Sequence, residues 1–148
     1  MLTCFDVADY ILAHSDEENS GDLISNLKLQ KLVYYAQGFS LALLDRPLFE
    51  EPIEAWMHGP VVPELYHKYK DNGTQALPVP ADVDFSKYSD DEKELLDEVY
   101  KIYGQFSAWK LRNMTHDENP WKETYVEGAG SREISNDSMK RFFDTLVN

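Results

Sequence analysis

Apolar residues recur along this chain with the three- and four-residue spacing of helices that each bury one stripe. Thr3 is placed to cap a first helix carrying Phe5, Ala8, Ile11 and Leu12 on one side. That helix should fade near Ser15, where Asp16-Glu17-Glu18-Asn19-Ser20-Gly21 reads as an acidic, turn-rich loop. Ser25 reads as the N-cap of a second helix, in which Leu29, Leu32, Val33, Ala36, Phe39 and Leu43 keep the rhythm of one buried stripe. Leu27, Tyr35, Ser40 and Leu44 widen its apolar surface, so this helix should be central rather than peripheral.

After Asp45-Arg46-Pro47 the period changes to two. Ile53, Ala55 and Met57 alternate with Glu54, Trp56 and His58, which predicts an extended segment or hairpin arm that Gly59-Pro60 should break. Trp56 and His58 should then share a face. Pro63 suits the first position of a new helix, where it has no N–H to lose; Val62, Leu65, Tyr66 and Tyr69 supply the apolar face and Asn72-Gly73 the end. Gln75 to Tyr88, with Pro78 and Pro80, reads as a long surface connection.

Ser89 and Glu92 have the spacing of a capping box, and Asp90 and Asp91 favour the helix dipole. The stripe Leu95, Leu96, Val99, Ile102, Tyr103 and Phe106 follows. Ser107 caps a shorter helix holding Trp109, Leu111 and Met114, and Thr115 through Trp121 reads as a polar loop closed by an aromatic. After a weakly patterned stretch around Gly128 and Gly130, a last helix begins at Ser135 with Met139, Phe142, Phe143 and Leu146 inward. The expected fold is mainly α: a single compact helical domain over residues 1–148 with a small β-hairpin or extended element.

Composition narrows the function. Hydrophobic residues make up 43% of 148, enough for a packed core. Fourteen basic residues against 27 acidic ones give a net charge of −13, which repels phosphate backbones and anionic lipid and favours a basic protein surface as partner. Neither nucleic acid nor a membrane is expected as a partner. The single cysteine, Cys4, excludes an internal disulfide and a thiolate zinc cluster, and reads as a small apolar side chain of the first helix. The start of the chain has no basic region followed by an apolar run, so no signal peptide is expected and a cytoplasmic protein is.

Chemistry is sparse. The four histidines lack the i, i+4 spacing of a helical zinc site; His58 and His116 could recruit Asp117 or Glu118, but no metal site and no cofactor is predicted. There is no Gly-x-Ser-x-Gly elbow, phosphate-binding Gly-rich loop or dinucleotide fingerprint, so no catalytic residues are assigned. The acid pairs Glu17-Glu18, Glu50-Glu51 and Asp90-Asp91 read as solubilising or capping residues.

Three segments stand out, each with a structural reading beside any functional one. Lys28 through Gly38 reads as a core helix with Lys28 and Lys31 solvated. Gly38 inside it costs about 1 kcal/mol relative to Ala, which implies close approach of a neighbouring element. The second segment is Glu54 through Pro63, and the third is Thr115-His116 through Pro120-Trp121, where Pro-Trp can pin a loop onto a core.

In order and spacing these segments resemble the SocA-like, or Panacea, antitoxin domain family, also described as phage-associated proteins. The likeness is carried by Leu29 through Gly38, by Pro47-Leu48-Phe49 with Glu54 through Pro63, and by Leu111, Thr115-His116 and Pro120-Trp121; it extends from about Phe5 to Phe143. The resemblance implies a compact helical fold with a small β element and an antitoxin encoded beside a small protein toxin. It implies neutralisation by direct contact, or, in one type, delivery of the toxin to the ClpXP protease.

On that reading an acidic surface meets a basic toxin, and a few aromatics supply most of the binding energy. The candidate partner-binding residues are Tyr34, Tyr35, Trp56 and Trp121, with His58 and His116 at the edges; burial in the core is the structural reading of each aromatic. A different class of function would be an enzyme or nucleotide-binding protein that uses a His58/His116 cleft to reverse a toxin's chemistry.

Overall fold

A computed structural model describes residues 1–18 and 24–147, apart from the side chains of residues 16–18. Ser25 accepts a hydrogen bond from the Lys28 amide and opens α2 (Asn26–Leu43), which runs through the middle of the molecule. Around it pack α1 (Cys4–Glu18), α3 (Pro63–Tyr69), α4 (Asp90–Tyr103), α5 (Ala108–His116) and α7 (Asn136–Val147). A short α6 (Asn119–Lys122) joins α5 to the last third of the chain. The mainly α expectation with a small β element holds, and that element is part of a three-stranded sheet.

Local signals placed most helix starts correctly. Thr3 and Asp6 exchange side chain-to-backbone hydrogen bonds at the start of α1, and Ser89 and Glu92 form the full capping box of α4. Ser107 accepts from the Lys110 amide, and Ser135 from the Ser138 amide. The first helix runs to Glu18, three residues past the expected end, and the remainder of the expected acidic loop lies outside the described residues.

The period-two segment forms β1 (Ile53–Trp56), but Gly59-Pro60 does not end the extended structure. It begins β2 (Gly59–Val61), with Met57-His58 as the two-residue turn between them. Alternation therefore stops at Trp56, and Met57 is 61% exposed. The strand β3 (Arg132–Ile134) pairs antiparallel with the other edge of β1, giving the order β2-β1-β3. Its three residues carry no readable alternation; pairing with β1 and burial of Ile134 define it. Pro60 is tolerated because β2 is an edge strand. Thr115 through Trp121, expected as a loop, is the end of α5 followed by α6, whose first turn holds the buried Pro120 at a position that needs no N–H donor.

Burial departs from periodicity in two ways. Lys28 and Lys31, expected in solvent, are buried, because apolar neighbours occupy every side of α2. Leu43, Ile102 and Leu146 continue the buried stripes of their helices yet are 58%, 43% and 48% exposed, and Trp109 is 55% exposed. Among the described residues no helix is long and apolar enough to cross a membrane.

Gly38 has the expected cause. A Cβ there would land on the Phe143 ring of α7, the helix that lies closest along α2. Gly38→Ala should therefore lower stability by about 1–2 kcal/mol in urea melts, overpacking outweighing the gain in helix propensity. In a Phe143→Leu background the same change should be neutral or stabilising. An equal cost in both backgrounds would show that the ring is not responsible.

Candidate functional site

The polar side chains of α2 point at the segments that follow it. Gln37 accepts from the Leu48 amide at 2.8 Å and donates to the Phe49 carbonyl at 2.9 Å. Gln30 accepts from the Val62 amide at 2.9 Å and donates to Asn26, which in turn donates to the Tyr66 carbonyl. Lys31 donates to the Pro60 carbonyl at 3.1 Å. These bonds clamp both ends of the hairpin to the helix.

Gly59 completes the clamp. Its φ of 109° suits glycine, and an added Cβ would lie 2.6 Å from Lys31 Cε and 2.8 Å from Thr115 Oγ1. Only a residue without a side chain lets the turn close over the lysine.

The hairpin tip gathers four of the six expected residues. Trp121 of α6 donates its indole N–H to the Trp56 carbonyl at 2.7 Å, across 65 positions of sequence. His116 stacks on Trp121 with ring centroids 3.9 Å apart and planes 8° apart, and Tyr125 stacks on the other side of that indole at 4.7 Å. Trp56 packs edge-on against Tyr66 and donates to Glu54 at 2.9 Å. In the turn, His58 Nδ1 accepts from Arg112 Nε at 3.3 Å, and the Arg112 guanidinium lies 4.5 Å from the centre of the Trp109 ring. Trp56 and His58 thus lie at one hairpin tip, but the strand ends between them and their rings meet different partners.

Tyr34 and Tyr35 are placed differently. Both are fully buried and present no surface to a partner. Their hydroxyls donate to the two oxygens of Glu118, at 3.1 and 2.7 Å, and Tyr35 stacks on Tyr103 at 4.1 Å. They support the segment that carries His116 and Trp121 from beneath.

The electrostatics follow from burial. Desolvation, with Arg112 nearby, pulls the Lys31 amine down to about 7. Desolvation pushes the Glu118 carboxyl up to about 7 against the opposing pull of the two tyrosine hydrogen bonds. Burial and then Arg112 lower His116, against a hydrogen bond with the Met57 backbone, and its Nε2 is buried without a hydrogen-bond partner. Burial, then Glu51 and Glu64, push the Cys4 thiol up to about 12.

Neither His58 nor His116 is hydrogen-bonded to a hydroxyl or thiol among the described residues; Thr115 Oγ1 is already donated to the Arg112 carbonyl. Nor do three or more His, Cys, Asp or Glu groups converge as metal ligands among the described residues. What the arrangement offers is a rigid aromatic and cationic knob. Met57, His58 and Trp109 are exposed on it, and a shallow depression of about 300 Å³ lies between Trp56 and residues 125–131.

Sequence reasoning placed Lys31 in solvent and did not single out Arg112, Trp109 or the tyrosine-bound role of Glu118. For Lys31 a signal existed: Leu29, Leu32, Val33, Tyr34 and Tyr35 leave α2 no polar side for it to occupy.

Comparison with known proteins follows the same segments. A family profile described as antitoxin SocA-like, Panacea domain matches residues 29–122, from α2 through α6. The antitoxin SocA of Caulobacter vibrioides (strain NA1000 / CB15N) is 32% identical over 119 residues, which cover 73% of this chain and 63% of that protein. The chain thus spans less than two thirds of that relative's length. No solved structure matches.

The raised Glu118 contributes stability that is present below its ordinary 4.5 and lost as pH rises through about 7. The difference in unfolding free energy between the wild type and Glu118→Gln should fall across that window, on the order of 3 kcal/mol. The lowered Lys31 behaves oppositely: its stability is present above 10.5 and lost as pH falls through about 7. Lys31→Met should therefore gain on the wild type as pH drops from 10.5 to 7. Urea melts across pH decide both, and flat differences would refute the assigned environments.

Proposed function

This chain belongs to the SocA-like Panacea antitoxin domain family, and from that premise we propose that it neutralises a protein toxin by binding it directly, through the hairpin tip. The observation that carries the reading is the exposed knob of Met57, His58 and Trp109, held by the interlocked Trp56, Trp121 and His116. Aromatic and arginine side chains of this kind supply most binding energy at protein interfaces. Holding them rigid before contact lowers the entropy lost on association. A net charge of −13 steers a basic toxin toward the surface and away from nucleic acid.

The antitoxin role does not require catalysis. His116 has its Nε2 buried and His58 has its Nδ1 occupied by Arg112, so neither ring is set up as a general base. Trp56, His58, His116 and Trp121 belong to the docking face on this reading, whereas Tyr34 and Tyr35 act by holding Glu118 beneath it.

Co-expression with the product of the adjacent gene tests the proposal. Growth arrest by that product should be relieved, and the two proteins should co-purify at fixed stoichiometry. Trp109→Ala or Met57→Asp should weaken the complex by about tenfold or more, with the fold intact. His58→Ala alone should be tolerated. Relief without a complex, lost when ClpXP is absent, would replace occlusion with toxin delivery to the protease; relief lost on His116→Ala with the complex retained would favour catalysis.

A further inference from the structure

Away from the hairpin tip, α4 and the C-terminal ends of α2 and α7 enclose a trough of about 120 Å³ whose lining includes Phe39, Leu43, Val99 and Ile102. It continues into a second depression lined by Leu44, Asp91 and Glu94, and the two share Leu43, Leu95 and Glu98. Leu43 follows Phe39 by four positions and Ile102 follows Val99 by three, so both prolong stripes that are buried elsewhere. Here the described chain covers them only in part and leaves Leu43 58% and Ile102 43% exposed.

The edge of the trough has one sign of charge. Asp91, Glu94 and Glu98 lie at i, i+3 and i+7 along α4, on one side of the helix, and no basic residue lines either depression. From Asp91 to Ile102 the trough runs about 16 Å, enough for some three turns of an opposing helix.

We propose that this trough is a docking surface for a basic amphipathic helix of a partner protein. Its apolar residues, at i, i+3 or i+4 and i+7, would cover Leu43 and Ile102, and its Lys and Arg would meet Asp91, Glu94 and Glu98. A second copy of this chain is the wrong occupant. A two-fold contact through the trough would bring two sets of these three carboxylates, and no basic side chain of either lining, into one interface on a protein already at −13. The inference rests on the antitoxin reading only in naming the toxin as the protein that carries the helix.

Two measurements separate the two claims. The first titrates isotope-labelled protein with a synthetic helix of about 15 residues, with Leu on one face and Lys on the other, against a scrambled peptide of equal composition. Amide shifts should map to residues 39–44, 91–102 and the end of α7, with binding about tenfold tighter than the scramble. Glu94→Lys with Glu98→Lys, and separately Ile102→Ser, should each remove most of that preference; these positions are at the surface, and a thermal melt checks the fold.

Shifts spread over the whole acidic surface, or equal binding of the scramble, would overturn the proposal. The second measurement repeats the toxin complex with the same variants. If the wild type binds the toxin and the variants bind it equally, the trough is not a second toxin contact and the proposal fails while the antitoxin reading stands. If the wild type forms no complex, the antitoxin reading fails and the peptide map alone decides the trough.

Discussion

The structure depends on one constraint: α2 is enclosed on nearly all sides, so every polar group it carries must be satisfied from within the protein. A buried amide or amine without a partner costs several times what a satisfied one contributes. Gln30, Lys31 and Gln37 meet this requirement by taking backbone groups from residues 48, 49, 60 and 62, and Ser40 does so with the Arg46 carbonyl. The helix thereby fixes the path of the chain that follows it. Without those bonds the hairpin, only three or four residues per strand, would have little to hold it.

The hairpin tip inherits its rigidity from this arrangement. Lys31 and Gly59 close the turn from below, and Trp121 reaches back to the Trp56 carbonyl from the side. Tyr34 and Tyr35 fix the α5–α6 junction by donating to one carboxylate, so the same helix anchors both halves of the candidate site. Lys31 and Glu118, both displaced by burial to about 7, sit at these two anchor points, where rigidity was obtained at a cost in desolvation. Residues that define the family likeness are therefore chiefly residues that hold the site in place, and the groups available to a partner, Met57 and Trp109 among them, are carried on top.

The tip and the trough are exposed apolar regions of different character. The tip combines aromatic rings with Arg112 and His58, whereas the α2–α4–α7 trough is aliphatic with carboxylates along its edge. A toxin contacted at both would be held by two kinds of complementarity, an arrangement that favours one partner orientation over others.

Sequence by itself determined the helical elements other than α6, most of their starts and the sign of the surface. Helix periodicity, Ser25, Ser89 and Ser107 as caps, and Pro63 as a first residue are decided within one or two turns of chain. Gly38 was legible too, because a glycine inside a strong helix requires a close neighbour, although only the fold supplied Phe143 as that neighbour. Tertiary structure decided the rest. The strand β3 exists only because β1 has a free edge, and Lys31 is buried only because five helices and a strand surround α2. Leu43 and Ile102 are exposed because their stripes run past the last element able to cover them, and Trp56 meets Trp121 across 65 residues. Local spacing fixes which face of a helix is apolar; which neighbour covers that face, and where cover ends, depends on contacts between segments far apart in the chain.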